Sequence, residues 1–347
     1  MVSSPSTKVI MSQQVVRLGY VGAGRFSQSR LLPAFKGIPG VELVVVSNST
    51  PESSQRIAQE FGFQRTEDSW QELVKATDID AVVIGTHPPL HLDACLQALD
   101  AEKHVLLLNA ISPTLEEAKD MYEKAQEKPG LVSLVYPSQF YLREEALMRS
   151  LLEEGYVGQI VQVLVYWYTP YFGLGSQFEV AQRWFGEHTK VFAYRKGIDI
   201  EVPVTDQPPE ITHASTNIVM GELESGWAIT YFHSTVAGGT NLARIEVYGS
   251  EGVLVCYSYD QIKEGIYGAK TGETELHPIA VPARMQEAWT YPNANIPVEA
   301  SFISAIRDGQ PASPAIPRFW DGVKLLEFVL AWRYSIGRGS WCDLPLP

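Results

Sequence analysis

The stretch Val16–Ser27, VRLGYVGAGRFS, constrains the fold more than any other part of the chain. An apolar run, Leu18–Val21, enters a glycine turn, Gly22-Ala23-Gly24, and a helix-compatible segment follows from Phe26. A strand that feeds such a turn and then a helix is the phosphate-gripping start of a dinucleotide-binding unit. Gly22 permits the tight turn, and Gly24 lets the backbone approach a pyrophosphate. Amides at the helix start then face the anion, with Arg25, Phe26 and Ser27 beside it and Ser27 as the third small residue. Read as turn glycines alone, the same residues carry no ligand; the flanking strand and helix favour cofactor contact.

The rest of the first 136 residues repeats that alternation. Apolar runs at Val15–Val21, Val41–Ser47, Ala81–Thr86, His104–Leu108 and Leu131–Tyr136 are separated by helical patterns near Ser27–Phe35, Glu52–Phe61, Trp70–Val74, Leu90–Leu99 and Leu115–Ala125. Strands alternating with helices predict a parallel, doubly wound α/β sheet of the Rossmann type over residues 15–136. Its ligand belongs at the carboxyl ends of the strands, beside the first turn. Residues 1–14, Ser- and Gln-rich without a long apolar core, read as a loose arm and not as a signal peptide.

A helix near Glu144–Glu154, stopped by Gly155, leads into a second region of different character. In Gln159–Tyr168, Val161, Val163, Val165 and Trp167 are expected on one face, and Ile160, Gln162, Leu164 and Tyr166 on the other. Further strands fit Ala214–Leu223, Trp227–Thr235, Leu242–Tyr248 and Gly252–Tyr257, and helices Pro297–Arg307 and Phe319–Tyr334 close the chain. Residues 137–347 therefore read as an α+β domain with an open, largely antiparallel sheet, its last helices expected to pack back on the first domain. Apolar and aromatic residues on both sheet faces suggest packing against another subunit.

Composition narrows the classes of partner. The 347 residues carry a formal net charge of -13, which argues against nucleic acid or an anionic membrane surface. Three cysteines (Cys95, Cys256, Cys342) are odd in number and far apart, as in a reducing cytoplasmic protein. The histidines His104, His188, His213, His233 and His277 show no metal-ligand spacing, so no metal is expected. The loop after the second strand has Asn48 where an acidic residue would bind the ribose of NAD, with Ser47, Ser49 and Thr50 around it. One reading is a polar loop before a helix starting near Pro51; the other is hydroxyls and Arg25 cradling a 2′-phosphate, which favours NADP over NAD.

Longer segments resemble a known family. DIDAVVIGTHPPLHLDACLQALDAEKHVLL (Asp78–Leu107), with Thr86, Pro88 and His91, is similar to the second half-motif of the Gfo/Idh/MocA oxidoreductases. ESGWAITYF followed by IEVYGSEGVL resembles their sheet signature, and SFISAIRDGQPASPAIPRFWDGVKLLEFVLAWRYSIGRG their closing helices. The resemblance runs from about residue 15 to the C-terminus. It implies a nicotinamide cofactor across the first domain, a small polyol or sugar against the second sheet, and a homodimer or homotetramer joined through that sheet. It also implies an acid–base lysine in a Glu-Lys-Pro motif, assisted by an Asp-x-x-x-His pair.

This chain departs from that pattern. The Glu-Lys-Pro position reads Leu108-Asn109-Ala110, so Asn109 takes the place of the lysine. In GLGSQFEVAQRWFGE, Gly173 falls at the aspartate and Gln177 at the histidine. Carboxamides hydrogen-bond but do not titrate. The substitute acid or base stays open among His87, His91 and Tyr171, since the chemistry needs a titratable group at the substrate oxygen. Thr86, Pro88 and His91 serve equally to shape their loop. Tyr171 and Phe172 are candidates to stack on a ring-shaped substrate, whereas Trp167 reads as core and Arg183-Trp184 as helix packing. The leading expectation is an NAD(P)-dependent oxidoreductase acting on a small polyol, sugar-like or other cyclic substrate. In it Gly22, Gly24, Arg25, Phe26 and Ser27 hold the phosphates, Asn48, Ser49 and Thr50 the ribose, and Thr86, His87, Pro88, His91 and Asn109 the remaining cofactor loop. Asn109 and Gln177 orient the substrate. A catalytically silent NAD(P)-binding sensor, a biliverdin-reductase-like reductase and a redox-neutral lyase with a recycled cofactor are the alternatives.

Overall fold

A computed structural model describes residues 14–136, 142–168, 174–204, 207–236, 242–258, 263–286, 298–309 and 316–347. They divide into two compact units, one of residues up to 136 together with 298–323, the other of the remainder.

The first unit is built on a six-stranded sheet of β1 (Val16–Val21), β2 (Val41–Ser47), β3 (Arg65–Thr66), β4 (Ala81–Ile84), β5 (His104–Leu108) and β6 (Ser133–Tyr136), in the order β3-β2-β1-β4-β5-β6. Every pairing is parallel. Strands covered on both faces need apolar runs rather than alternation. Ala81–Ile84 are accordingly all buried, as are Val105, Leu106 and Leu107. The order reverses direction between β1 and β4, which opens a crevice at their carboxyl ends.

The helices of this unit begin where local chemistry dictates. Thr50, Ser69 and Thr114 each accept a hydrogen bond from the amide three residues on, capping α2 (Pro51–Phe61), α3 (Trp70–Lys75) and α5 (Leu115–Glu127). The last two carry Glu72 and Glu117 at the capping-box position. The first helical stretch, residues 25–36, is irregular. A π-helical turn, Ser27–Leu31, precedes the α-helical part α1 (Leu32–Lys36). Wide turns of this kind concentrate at functional sites. Helix α4 (His91–Asp100) follows β4 through a short 3-10 turn, Pro88–Leu90. The returning helix Val298–Asp308 and the segment before the final helix complete the unit, with Val135 donating its N–H to the Pro317 carbonyl at 2.9 Å.

The second unit is organised by a nine-stranded sheet. Its strands are β7 (Ile160–Tyr168), β8 (His188–Val204), β9 (Gln207–Leu223), β10 (Ala228–Ser234), β11 (Leu242–Gly249), β12 (Gly252–Ser258), β13 (Gly265–Lys270), β14 (His277–Pro278) and β15 (Cys342–Asp343). The order is β14-β13-β12-β11-β7-β10-β9-β8-β15, antiparallel except that β7 and β10 run parallel. The chain is thus a Rossmann α/β domain joined to an α+β domain with an open, largely antiparallel sheet.

Three details correct the sequence reading. Val161 does not share a face with Val163, Val165 and Trp167. Gly249 pairs with Ile160 while Tyr248 pairs with Gln162, so Val161 is the extra residue of a β-bulge. Ile160 is consequently buried and Val161 is 64% exposed. A Cβ at Gly249 would collide with the Val157 carbonyl, so the bulge depends on that glycine. Second, the long strand β8 and the short β13 were not among the expected strands, and β9 extends to Gln207. Third, the closing helices are Val298–Asp308 and Phe319–Arg338, the latter one turn longer than expected.

The inner face of this sheet packs Val163, Val165, Trp167, Val219, Ile229 and Tyr231. Phe178 and Phe328 stack over it with centroids 4.1 Å apart. His188 sits among these rings, its Nε2 3.0 Å from the Tyr231 hydroxyl, and burial depresses its pKa to about 3. The outer face carries a lateral row in register across six strands: Tyr257, Arg244, Tyr166, Phe232, Ile218 and Tyr194. The Arg244 guanidinium lies 4.3 Å from the Tyr166 ring centre, and Tyr166 stacks on Phe232 at 4.9 Å. Tyr194 is 58% exposed in this row.

Candidate functional site

The glycine turn lies at the carboxyl end of β1, between the ends of β2 and β4. Gly22 has φ +76°, donates its N–H to the Ser47 carbonyl at 2.8 Å, and accepts from Gly24 at 2.9 Å. A Cβ on Gly22 would come within 2.5 Å of Thr86 Cγ2 and 2.9 Å of the Thr86 amide nitrogen. Gly85 is equally constrained, since its Cβ would meet the Gly22 carbonyl oxygen at 2.8 Å. These two glycines allow the β1 and β4 loops to touch. Gly24 differs. A Cβ there would meet nothing within 4 Å, so no protein contact asks for glycine at that position. Bare backbone facing open space fits the close approach of a dinucleotide phosphate.

The middle of the turn is held from both sides. Ala23 donates its N–H to Asn48 Oδ1 at 2.7 Å, and its carbonyl accepts from Gln28 Nε2 at 2.8 Å. Asn48 also donates from Nδ2 to the Ser53 hydroxyl at 3.0 Å, and its own N–H goes to Ser54 Oγ at 2.9 Å. The Asn48 carboxamide therefore braces the turn. Thr50 accepts from the Ser53 N–H as the cap of α2, while Ser49 and Arg25 are exposed. Gln28, a brace of the turn, carries no motif signal in the sequence; its only cue is a polar residue inside the first helical turn.

The loops after β4 and β5 are tied by His91. Its ring is buried, with Nδ1 3.1 Å from the Ile111 carbonyl and Nε2 2.9 Å from the Thr86 carbonyl. Burial lowers its pKa, and the two carbonyls oppose that only in part. A neutral ring donates to one of these carbonyls and turns its other nitrogen to the second, so it is enclosed by the protein and poorly placed to donate a proton to a substrate. His87 is exposed two residues from Gly85, at the start of the Pro88–Leu90 turn, and Pro88 is half-buried. Asn109 is exposed just past the end of β5, and the Asn109–Ala110 peptide is cis. The first unit thus gathers Gly22, Gly24, Asn48, Thr86, His91 and Asn109 at one edge of its sheet.

In the second unit, the helix Leu174–Phe185 carries Gln177 in full burial, and neither amide atom finds a hydrogen-bond partner among the described residues. Tyr171, Phe172 and Gly173 lie outside the described residues. Arg183 pairs with Glu145 at 2.8 Å, a packing role within this unit. Among the described residues no group of three or more His, Cys, Asp or Glu is placed to hold a metal. Cys95, Cys256 and Cys342 are buried and form no disulfide. No helix among the described residues is long and apolar enough to cross a membrane.

Comparison with known proteins bears on this geometry. Residues 16–136 match the model of the oxidoreductase family with an NAD-binding Rossmann fold, GFO_IDH_MocA. A 1,5-anhydro-D-fructose reductase of Ensifer adhaerens is 26% identical over 323 residues, covering 88% of this chain and 92% of that protein. A levoglucosan dehydrogenase of Pseudarthrobacter phenanthrenivorans is 30% identical over 117 residues, 34% of this chain and 30% of that protein. A solved levoglucosan dehydrogenase in complex with NADH and levoglucosan superposes with a TM-score of 0.75 at 22% identity, over 96% of this chain and all of the other; it speaks to the fold. In its first domain the chain thus matches the Gfo/Idh/MocA oxidoreductases, a family with an NAD-binding Rossmann fold.

Proposed function

We propose that this protein is an NAD(P)-dependent oxidoreductase that transfers a hydride between the nicotinamide and a small cyclic polyol or sugar-like substrate. The observation that carries this reading is the pre-braced glycine turn, with its open position at Gly24, inside a domain of that family. Its relatives' names point to the same chemical class: the Ensifer adhaerens protein is an anhydrofructose reductase and the Pseudarthrobacter protein a levoglucosan dehydrogenase.

The cofactor supplies the hydride chemistry. This chain supplies the rest. Gly22, Gly24, Arg25, Phe26 and Ser27 hold the diphosphate, with Thr86, His87, Pro88, His91 and Asn109 completing the cofactor edge. NADP is the favoured form. The position that would oppose a 2′-phosphate with a carboxylate is Asn48, whose amide is turned inward, while the Ser49 hydroxyl and the Arg25 guanidinium are exposed. Asn109 and Gln177 orient the substrate as neutral hydrogen-bond partners. His87 is the favoured proton donor of the described residues, and Tyr171 is the other candidate. The chain acts in the cytoplasm as a homo-oligomer joined through the outer face of the second sheet, where the row from Tyr257 to Tyr194 offers aromatic anchors. Replacing Tyr194 and Ile218 by Asp should shift the mass measured by light scattering to that of one chain.

The direct test is oxidation of NADPH, and then NADH, in the presence of a panel of carbonyl sugars and cyclic ketones. Turnover with any of them supports the proposal; saturable nucleotide binding without turnover favours the second reading. That reading is a silent NAD(P)-binding sensor, and the non-titrating Asn109 is the observation on its side. Asn109→Lys separates the two further, since gain of polyol oxidation would place residue 109 at the reacting carbon.

A further inference from the structure

One buried cluster of the first unit reaches Phe26, a residue of the proposed diphosphate loop, from across the sheet. Tyr136, the last residue of β6, is 3% exposed, and its ring meets that of Phe26 edge-on, centroids 5.6 Å apart at 76°. Its hydroxyl accepts from Arg30 Nε at 3.0 Å. The same phenol faces the carboxylate of Glu299, on the returning helix, which is also buried. Burial, reinforced by that carboxylate, pushes the phenol up to about 12, so it stays a neutral hydroxyl. Burial likewise raises the Glu299 carboxyl, opposed by Arg30 and by the phenol.

The position of this cluster matters more than its charge. Phe26 and Arg30 stand four apart in the helical stretch that leaves the glycine turn, and so lie on one side of it. The π-helical turn, Ser27–Leu31, starts directly after Phe26 and contains Arg30. β6 lies three strands from β1 in the sheet order, roughly 14 Å at ordinary strand spacing. A single side chain at the far edge of the sheet therefore reaches that helical stretch twice, Phe26 by its ring and Arg30 by its hydroxyl. The turn itself is braced at Ala23 by Asn48 and Gln28 from the other side. Together these contacts leave the amides that follow Gly24 little room to move.

We infer that Tyr136 is a positioning residue for the dinucleotide, holding Phe26 by its ring and Arg30 by its hydroxyl so that the helix start is aligned before the cofactor arrives. The inference rests on the glycine turn being the dinucleotide site. Backbone recognition requires such prior alignment, because amides misplaced by a fraction of an ångström lose their hydrogen bonds to an anion. Glu299 belongs to the same cluster: its buried carboxylate faces the phenol and Arg30.

The test uses the full chain and four proteins: wild type, Tyr136→Phe, Tyr136→Leu and Arg30→Gln. NADPH and NADH are the probes, followed by quenching of tryptophan emission, with melting in the absence of nucleotide as the control. Tyr136→Phe keeps the ring contact and should weaken binding about three- to tenfold; Tyr136→Leu loses both and should weaken it about ten- to thirtyfold. Amides of residues 22–31 should exchange faster in Tyr136→Leu. With a substrate in hand, KM for the cofactor should rise while kcat at saturation stays within about twofold, and Tyr136→Phe should recover part of the loss. A Tyr136→Leu protein that melts like wild type and binds with wild-type affinity overturns the inference. If that variant does not fold, wild-type affinity in both Tyr136→Phe and Arg30→Gln overturns it equally. A wild type that binds neither nucleotide overturns the reading of the turn and this inference with it, whereas normal binding in wild type and all variants overturns the inference alone.

Discussion

The glycine turn of the first unit and the helix Leu174–Phe185 of the second treat their polar groups in opposite ways. At the turn, the N–H and C=O of Ala23 are both taken, by Asn48 and Gln28, and Asn48 is itself held by Ser53 and Ser54. On the helix, Gln177 is fully buried with neither amide atom partnered among the described residues. A backbone that must recognise an anion has to be set beforehand, so its own hydrogen bonds are spent on rigidity. A side chain that recognises by its tip keeps that tip unspent, at a cost of about 1–3 kcal/mol for a buried amide without a partner. The histidines show a milder form of the same contrast. His91 has a carbonyl at each ring nitrogen, while the Nδ1 of His188 finds no partner among the described residues.

The strongest way to break the first half of the comparison is Gly22→Ala. The new Cβ would sit 2.5 Å from Thr86 at a φ of +76°. Left-handed strain and the clash should cost about 3 kcal/mol, read as a lower urea midpoint. An unchanged midpoint would mean the β1 and β4 loops are not pressed together.

Acid sharpens the histidine contrast. His188 is held neutral with its pKa near 3, below the value of about 6.5 in an unfolded chain. Its contribution to stability is thus complete above about pH 6.5 and is lost as pH falls toward 3, because only the unfolded chain takes the proton in that window. At pH 5 the loss should be about 2 kcal/mol relative to pH 7.5. His188→Gln should flatten the urea midpoint against pH over that range; an undiminished slope would assign it to other groups.

Asn48 probes the bracing itself. Asn48→Ala removes the acceptor for the Ala23 N–H and should weaken nucleotide binding roughly tenfold, with a stability loss of about 1 kcal/mol. Asn48→Asp keeps an acceptor there, since the Ser53 hydroxyl can donate to it, but adds a negative charge beside the ribose loop. NADPH affinity should then fall about tenfold relative to NADH. Equal losses for the two nucleotides would remove the argument for NADP.

Gln177→Leu carries the smallest expected effect on stability. Deleting an unpartnered buried amide should leave the melting temperature unchanged or raise stability by up to about 1 kcal/mol, while kcat/KM falls. A clear loss of stability would show that the amide has a partner in the protein.

Much of the first unit was legible in the sequence, because its signals are local. Apolar runs without alternation mark strands buried on both faces, Thr50, Ser69 and Thr114 mark helix starts, and Gly22-Ala23-Gly24 marks the turn. Nothing local marks Gln28 or Tyr136, whose partners come from the turn or from across the sheet. The same reason explains Val161. Alternation assigns it to the inner face, and only the pairing of Gly249 with Ile160 shows the bulge that turns it out. The long β8 escaped because HTKVFAYRKGIDIEVPV mixes charged and apolar residues, and only its first part, His188–Ala193, alternates between covered and more open positions.

The central claim is tested most directly by Gly24→Val, measured for nucleotide binding and for melting without nucleotide. A side chain at residue 24 meets no protein atom within 4 Å of its Cβ, so the variant should fold and melt close to wild type. If the turn grips a dinucleotide, the added methyls occupy the space of the phosphates and NADPH binding should fall by at least about a hundredfold. Wild-type affinity in a folded Gly24→Val protein would contradict the account.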